Sequence, residues 1–365
     1  MGILKRAVIG STAGVSVGLL CMGTLAAAAY TNWKKRTNRL TDRVVLITGG
    51  SRGLGLALAE ELGRNGAKLA LAARDHDELE RARKLLLERN AIAQESDVFL
   101  YSADLRNPKE ADELIIETTK YFGQIDVLIN NAGVITVGPV ENQSIDDFTD
   151  VMNTNFFSGL HCILSILPQM LERKSGAIAN IASIGGKVAV PHMLPYTASK
   201  FAVVGLSEGL NAELRSKGIH VTTVCPGLMR TGSHLNAQFK GDVEREYRWF
   251  SLAASFPGIS TSARSAARKI VTAIASSKTE IAISPQAVLM SRFANVAPAA
   301  TIRLMELIAL VFPSSVSGFG QSRRGVDIRG KELKSAVHLG ESAARRYNQY
   351  RDLPLEKVES KVTST

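Results

Sequence analysis

From Arg43 onward, short runs of aliphatic and β-branched residues alternate with amphipathic stretches of ten to twenty residues. The runs predict strands at 43–48, 67–73, 97–102, 125–130, 176–182, 218–224 and 279–284, and the stretches between them predict helices at 54–65, 75–90, 108–122, 145–173, 195–217 and 260–277. Strand following helix in this order implies a parallel sheet with helices on both faces. No repeat, low-complexity tract or linker divides the region, so one doubly wound α/β domain of about seven strands is expected over 41–290. A chain of 365 residues is long enough for such a domain with extensions at either end.

The pattern changes at both ends. Ala7 to Tyr30 is apolar and rich in small residues, and no charge occurs between Arg6 and Lys34. As a helix of 24 residues it would extend about 36 Å, enough to cross a hydrocarbon core of about 30 Å. A cleaved signal peptide is the rival reading, because Lys5 and Arg6 resemble an n-region and Ala26 to Ala29 offer an Ala-x-Ala site. Lys34, Lys35, Arg36 and Arg39 directly after the stretch favour a retained single-pass anchor over residues 1–36, with the remainder on the cytoplasmic side. Gly10, Gly14 and Gly18 would line one face of that helix and could admit a second one. A second apolar stretch, Ala294 to Val316, carries Arg303 and Glu306 and is bounded by Pro298 and Pro313. It predicts a helical extension over 291–318 that lies on a bilayer or over a cleft, with an ordinary packed or dimer helix as the alternative. Residues 319–365 turn polar and charged and read as a loosely held tail.

The formal charge of +10 belongs to these ends: six net positive charges lie in residues 1–40 and four in residues 320–365, leaving the body near neutral. Nucleic-acid binding needs a basic stripe across a folded face, so no nucleic-acid partner is expected, whereas membrane lipid is. Cys21, Cys162 and Cys225 are far apart and odd in number, which argues against a disulfide framework and for a reducing compartment. No Cys or His spacing suggests a metal site.

Candidate chemistry begins where the first strand ends, in Thr48-Gly49-Gly50-Ser51-Arg52-Gly53-Leu54-Gly55, with a helix expected at once. Glycines in that context allow a tight turn, close approach of the backbone to a pyrophosphate and packing of the new helix on the sheet, the mark of a Rossmann-type dinucleotide site. The acid that would bind a ribose 2′-hydroxyl at the end of the second strand is absent, and Ala72-Ala73-Arg74 stands there instead. Arg74, with Arg52 in the glycine loop, places positive charge where a 2′-phosphate would lie and points to NADP(H) over NAD(H), a cofactor drawn from the cytosolic pool. Asp75 reads as the N-cap of the following helix.

Tyr196 and Lys200, four apart in a predicted helix, share one face. A phenol of ordinary pKa near ~10 is a poor acid-base catalyst at neutral pH, and a fixed ammonium beside it would favour the phenolate. Ser183, at the end of a strand, is placed to hydrogen-bond a reacting oxygen. With the glycine loop come Asp104, Asn130-Asn131-Ala132-Gly133, Asn155 and Pro226-Gly227, in the order found in the short-chain dehydrogenase/reductase family. From about Arg43 to Ser284 the chain resembles that family. The resemblance implies that Tyr196 transfers the proton, Lys200 lowers its pKa and holds the nicotinamide ribose, Ser183 orients the substrate oxygen and Asn155 holds a water in the proton relay. It further implies that Asp104 and Leu105 meet the adenine end of the cofactor, that Asn131, Ala132 and Gly133 line it, and that Pro226, Gly227 and Thr231 close over its carboxamide or phosphates. Residues 228–258 would form a mobile loop over the substrate, and the helices bearing Asn155 and Tyr196 would build a homodimer.

Val137, Val188, Met193, Leu194, Leu228, Met229 and Phe239 are candidate cleft residues and mostly aliphatic. Together with the apolar ends they favour an oxidoreductase that interconverts carbonyl and alcohol on an apolar, lipid-like substrate. An oxoacyl-thioester reductase whose anchor only sets location is one alternative. A catalytically silent, membrane-tethered nucleotide-binding scaffold is another, although such a chain would be expected to lack Tyr196, Lys200 or Ser183.

Overall fold

The computed structural model describes residues 40–316, 321–328 and 338–350. Seven strands form one parallel sheet: β1 (Val44–Thr48), β2 (Lys68–Ala73), β3 (Val98–Ser102), β4 (Val127–Asn130), β5 (Gly176–Ile181), β6 (Ile219–Pro226) and β7 (Glu280–Ile283), in the spatial order β7-β6-β5-β4-β1-β2-β3. The continuous apolar character of β1 follows from burial on both faces. Val45 and Ile47 enter one core layer with Leu56, Leu62, Ile270 and Ile274, while Val44 and Leu46 enter the other with Leu114, Ile163, Ile166 and Met170. The helices that supply these layers include α1 (Gly53–Arg64), α2 (His76–Glu88) and α3 (Pro108–Phe122). Asp75 caps α2 by accepting from the Glu78 N–H.

The order of strands reverses at β1, between β2 and β4. A crevice therefore opens at the carboxyl ends of β1 and β4, the ends that carry the glycine loop and Asn131 to Gly133.

Several sequence expectations are corrected. The helix expected over 145–173 is three pieces: α4 (Ile145–Met152), a π-helical segment (Asn153–Phe157) and α5 (Ser158–Arg173). The inserted residue of a π turn has no signature in apolar periodicity. The next helix, α6 (Leu194–Leu214), ends in a 3₁₀ turn. Residues 228–258 are largely ordered structure rather than a bare loop: two-residue strands at 229–230 and 238–239 precede α7 (Val243–Ser255), which buries Tyr247 and Phe250. After α8 (Ala263–Ala275) and β7, the expected extension over 291–318 begins earlier and is a pair of helices, α9 (Pro285–Val296) and α10 (Pro298–Ala309), because Pro298 cannot continue the first and starts the second.

The expected tail also departs from its reading. Residues 323–324 pair antiparallel with 238–239, and α11 (His338–Arg346) with the turn after it packs back on the domain, burying Ala344 and Tyr347. The expected anchor over 1–36, with Gly10, Gly14 and Gly18, lies outside the described residues, as does most of 319–365. Among the described residues no helix is long and apolar enough to cross a membrane.

Candidate active site

The glycine loop is held open by specific contacts. Gly49 and Gly53 have φ of +63° and +58°, which L side chains rarely adopt, and a Cβ on Gly55 would sit 2.0 Å from the Gly49 carbonyl oxygen. From β4, the Asn131 side-chain amide donates to the Thr48 and Gly49 carbonyls at 3.0 Å each, and Thr48 Oγ1 accepts from the Asn131 and Ala132 N–H groups. Loop and β4 end are thereby one rigid rim. Behind it a cleft of about 290 Å³ is lined by Gly49, Ser51, Arg52, Gly53, Leu54, Arg74, Asp104, Leu105, Asn131 to Gly133, Ser183, Tyr196, Lys200, Pro226, Gly227 and Thr231. Gly55 packs underneath. The crevice accordingly gathers nearly every residue singled out for the cofactor, and its fit to a dinucleotide is a cradle whose backbone would be distorted by side chains at Gly49, Gly53 or Gly55, which would strike neighbouring protein atoms.

The two arginines proposed for a 2′-phosphate part company. Arg52 Nη1 lies 2.9 Å from Glu78 Oε1, a carboxylate buried at the start of α2 that also accepts from Ser51 Oγ. Its charge is paired there, while its side chain still lines the cleft. Arg74, at the end of β2, is exposed on the cleft rim, and among the described residues its guanidinium forms no ion pair. Asp104 holds Arg106, whose hydrogen bonds keep the Asp104 carboxyl below its ordinary range.

At the opposite end of the cleft, Ser183 closes β5 and Tyr196 and Lys200 come from α6. The Ser183 side chain is near enough to the Tyr196 phenol to favour the phenolate, and Lys200 Nζ lies 5.6 Å from the Tyr196 ring centre while donating to the Ile181 carbonyl at 2.8 Å. Burial dominates their protonation. It raises the Tyr196 pKa against the lowering effect of Ser183, and lowers that of Lys200 from 10.5 to about 8. The Tyr196 shift is thus set by burial and by Ser183 rather than by the lowering expected from Lys200.

Asn155 sits in the π segment. Its side chain accepts from the Val134 N–H at 2.7 Å and donates to the Val134 carbonyl at 3.1 Å and to Ser199 Oγ at 2.9 Å. Gly133 lies against the same group: a Cβ there would be 3.1 Å from Asn155 Oδ1 and 3.6 Å from Lys200 Nζ. A widened turn, a glycine and the buried ammonium are therefore built as one cluster.

Of the seven apolar cleft candidates, Met229 alone lines the cleft. Val137, Met193 and Phe239 belong to a buried cluster with Tyr247 and Phe250, Val188 is buried, and Leu194 is exposed. Half-buried Ile135, Val190, Leu228 and Trp249 surround that cluster, against which Tyr196 also packs.

The sequence pattern of short chain dehydrogenases matches residues 43–240. The chain belongs to the short-chain dehydrogenase family. It is 38% identical over 204 residues to a dehydrogenase/reductase SDR family protein 7-like of Anopheles gambiae, covering 56% of this chain and 64% of that protein. A Drosophila melanogaster protein of the same description is covered over 62%, so the match spans just under two thirds of these insect relatives. A ketoacyl reductase of Nostoc sp. is 30% identical over 303 residues, 82% of this chain and 96% of that one. Among solved structures, a short-chain dehydrogenase from Streptomyces avermitilis superposes with a TM-score of 0.61 at 28% identity, covering 73% of this chain and 97% of its own. Members of this family are described as dehydrogenases and reductases.

Three site residues escaped sequence reading. Glu78 had a signal, since Asp75-x-x-Glu78 is capping-box spacing, although its grip on Ser51 and Arg52 is tertiary. Ser199 looks like any helix serine. Gln349 reaches the cleft wall from 296 residues beyond Gly53, with no local sign.

Proposed function

We propose that the protein is an NADP(H)-dependent reductase of apolar carbonyl compounds, with Tyr196 as the proton donor. The observation that carries this reading is the Ser183 and Tyr196 hydroxyl pair beside buried Lys200 at one end of a cleft whose other end is the glycine loop and Arg74. When bound, the cofactor supplies the hydride. Arg74 holds the 2′-phosphate, the helix start after the glycine loop holds the diphosphate, and Lys200 holds the nicotinamide ribose. Ser183 Oγ orients the substrate oxygen, and Tyr196 Oη passes its proton to that oxygen. Burial raises the phenol's pKa and so keeps it in the protonated form, the form that donates. Lys200 and a water held at the Asn155 turn then return a proton to Tyr196.

The apolar preference rests on the half-buried Ile135, Val190, Leu228 and Trp249. A membrane-facing placement draws support from α9, α10 and the turn after them, where Leu289, Val296, Leu307, Leu310 and Val311 are each at least 64% exposed. Phe157, Leu164 and Phe201, exposed on the helices near Asn155 and Tyr196, suit a homodimer face. The Nostoc relative favours a second reading, reduction of an oxoacyl thioester.

A panel of carbonyl substrates, followed by NADPH consumption with purified protein, tests the proposal. Tyr196→Phe should lower turnover by about 10²-fold or more while leaving dinucleotide affinity in place. Arg74→Asp should weaken NADPH and spare NADH. Equal NADPH oxidation by wild type and Tyr196→Phe on every substrate would remove the catalytic role, and equal effects of Arg74→Asp on both cofactors would remove the phosphate role.

A further inference from the structure

The C-terminal segment 347–349 lies against the glycine loop. The Gly53 N–H donates to the Tyr347 carbonyl at 2.8 Å, and Asn348 Nδ2 donates to the Ser51 and Glu78 carbonyls at 2.9 and 3.0 Å. Gln349 Nε2 donates to the Thr231 carbonyl at 3.0 Å, while its Oε1 accepts from Asn236 Nδ2 at 2.7 Å. All three residues are at most 7% exposed. Asn348 adopts φ of +56°, a conformation that costs energy outside glycine and that these paired contacts hold in place. Upstream, Arg346 joins Arg89 and Arg64 around the buried Glu60 carboxylate, which fixes the end of α11 on α1.

The segment thus joins the two rims of the crevice, the glycine loop after β1 and the Thr231 to Asn236 stretch after β6. Of the N–H groups that the start of α1 leaves without an intrahelical acceptor, Gly53's is taken by Tyr347, and those of Leu54 and Gly55 have no acceptor among the described residues and are available to an anion. The Gln349 amide has two N–H donors. Thr231 takes one, and the other has no acceptor among the described residues. Its nitrogen is so close to the loop that a Cβ on Gly53 would lie 2.7 Å from it.

We propose that the segment 347–349 is a built-in clasp of the cofactor site and that Gln349 is a positioning residue that presents its amide N–H to the cofactor diphosphate. The proposal rests on the dinucleotide reading of the cleft. The clasp explains why a C-terminal stretch with a polar, unremarkable sequence is buried at all: it completes the phosphate end of the crevice, which the strand-and-helix core leaves open between its two rims. It also gives the glycine at position 53 a second reason, since any side chain there would strike the Gln349 amide as well as adopt a strained φ.

The test uses the full chain and equilibrium binding of NADPH, NADH, ADP-ribose and 2′-AMP, beside thermal unfolding of the cofactor-free protein. Gln349→Glu keeps size and the acceptor for Asn236, loses the bond to the Thr231 carbonyl and sets a carboxylate beside the diphosphate. It should weaken NADPH, NADH and ADP-ribose by roughly tenfold or more, leave 2′-AMP unchanged because that ligand has no diphosphate, and raise the cofactor KM with kcat preserved. Gln349→Ala should weaken the same three ligands to a lesser degree. Unchanged affinity for the three in Gln349→Glu overturns the clasp. Parallel loss for all four ligands with a lowered unfolding temperature overturns it too, as the mark of a purely structural residue. Failure of the wild type to bind any dinucleotide overturns the dinucleotide reading itself, a result distinct from either.

Discussion

Lys200 shows how a single side chain is governed by two opposed demands. A role beside Tyr196 requires it to be charged, while complete enclosure favours the neutral amine and brings its pKa from 10.5 to about 8. In the unfolded chain the amine regains its ordinary value, so between about 8 and 10.5 the unfolded state binds more protons. The buried ammonium therefore costs stability below about 8, and the cost is relieved as pH rises towards 10.5. Lys200→Met removes the titrating group, so the unfolding free energy of wild type relative to this variant should increase from pH 7 to pH 10. A constant difference across that range would show that Lys200 keeps its solution pKa. In kinetics, the kcat/KM for NADPH-driven reduction should fall as pH rises through about 8, since that parameter reports the free enzyme. Tyr196 shifts the other way, upward, so its own deprotonation does not account for a fall beginning near that pH.

At the scale of elements, the π segment Asn153–Phe157 is the feature that sets the site apart from a regular Rossmann helix. It turns Asn155 inward, where the side chain binds the Val134 backbone in both directions and so ties the helix to the strand end after β4. Gly133 fits because nothing projects between Asn155 and Lys200. Gly133→Ala would set a methyl 3.1 Å from Asn155 Oδ1, a contact that a shift of a few tenths of an ångström relieves. The fold should therefore persist, with an unfolding temperature within a few degrees of wild type, while turnover drops by about tenfold or more through displacement of Asn155 and Lys200. A melt and a steady-state assay on the same preparation check this, and wild-type kcat in the variant would mean that the cluster tolerates displacement. Gly55→Ala differs in kind: the methyl meets the Gly49 carbonyl at 2.0 Å, backbone that cannot yield without opening the loop.

For the whole molecule, the neutral body with exposed apolar helices α9 and α10 sets a definite expectation. Leu307→Asp combined with Leu310→Asp in the full chain should reduce recovery with anionic phospholipid vesicles in a flotation assay, and deletion of residues 1–36 should reduce it further. Unchanged recovery in the double variant would remove α9 and α10 as a membrane-facing surface.

The alternating pattern was enough to place all seven strands within a few residues, because strands buried on both faces must be apolar and stand out between amphipathic helices. Local chemistry likewise exposed the glycine loop, Ser183, Tyr196 and Lys200, whose spacing is set by a single turn or helix. What local pattern could not carry depends on residues meeting across long separations. The pairing of Arg52 with Glu78, the burial of Val137 and Phe239 away from the cleft, and the return of Gln349 to Gly53 are all of this kind. Short-range rules of sequence describe one element at a time. Which arginine is ion-paired at the rim, which apolar residues are core, and what lies across the crevice are decided by packing between elements, and so by the tertiary structure alone.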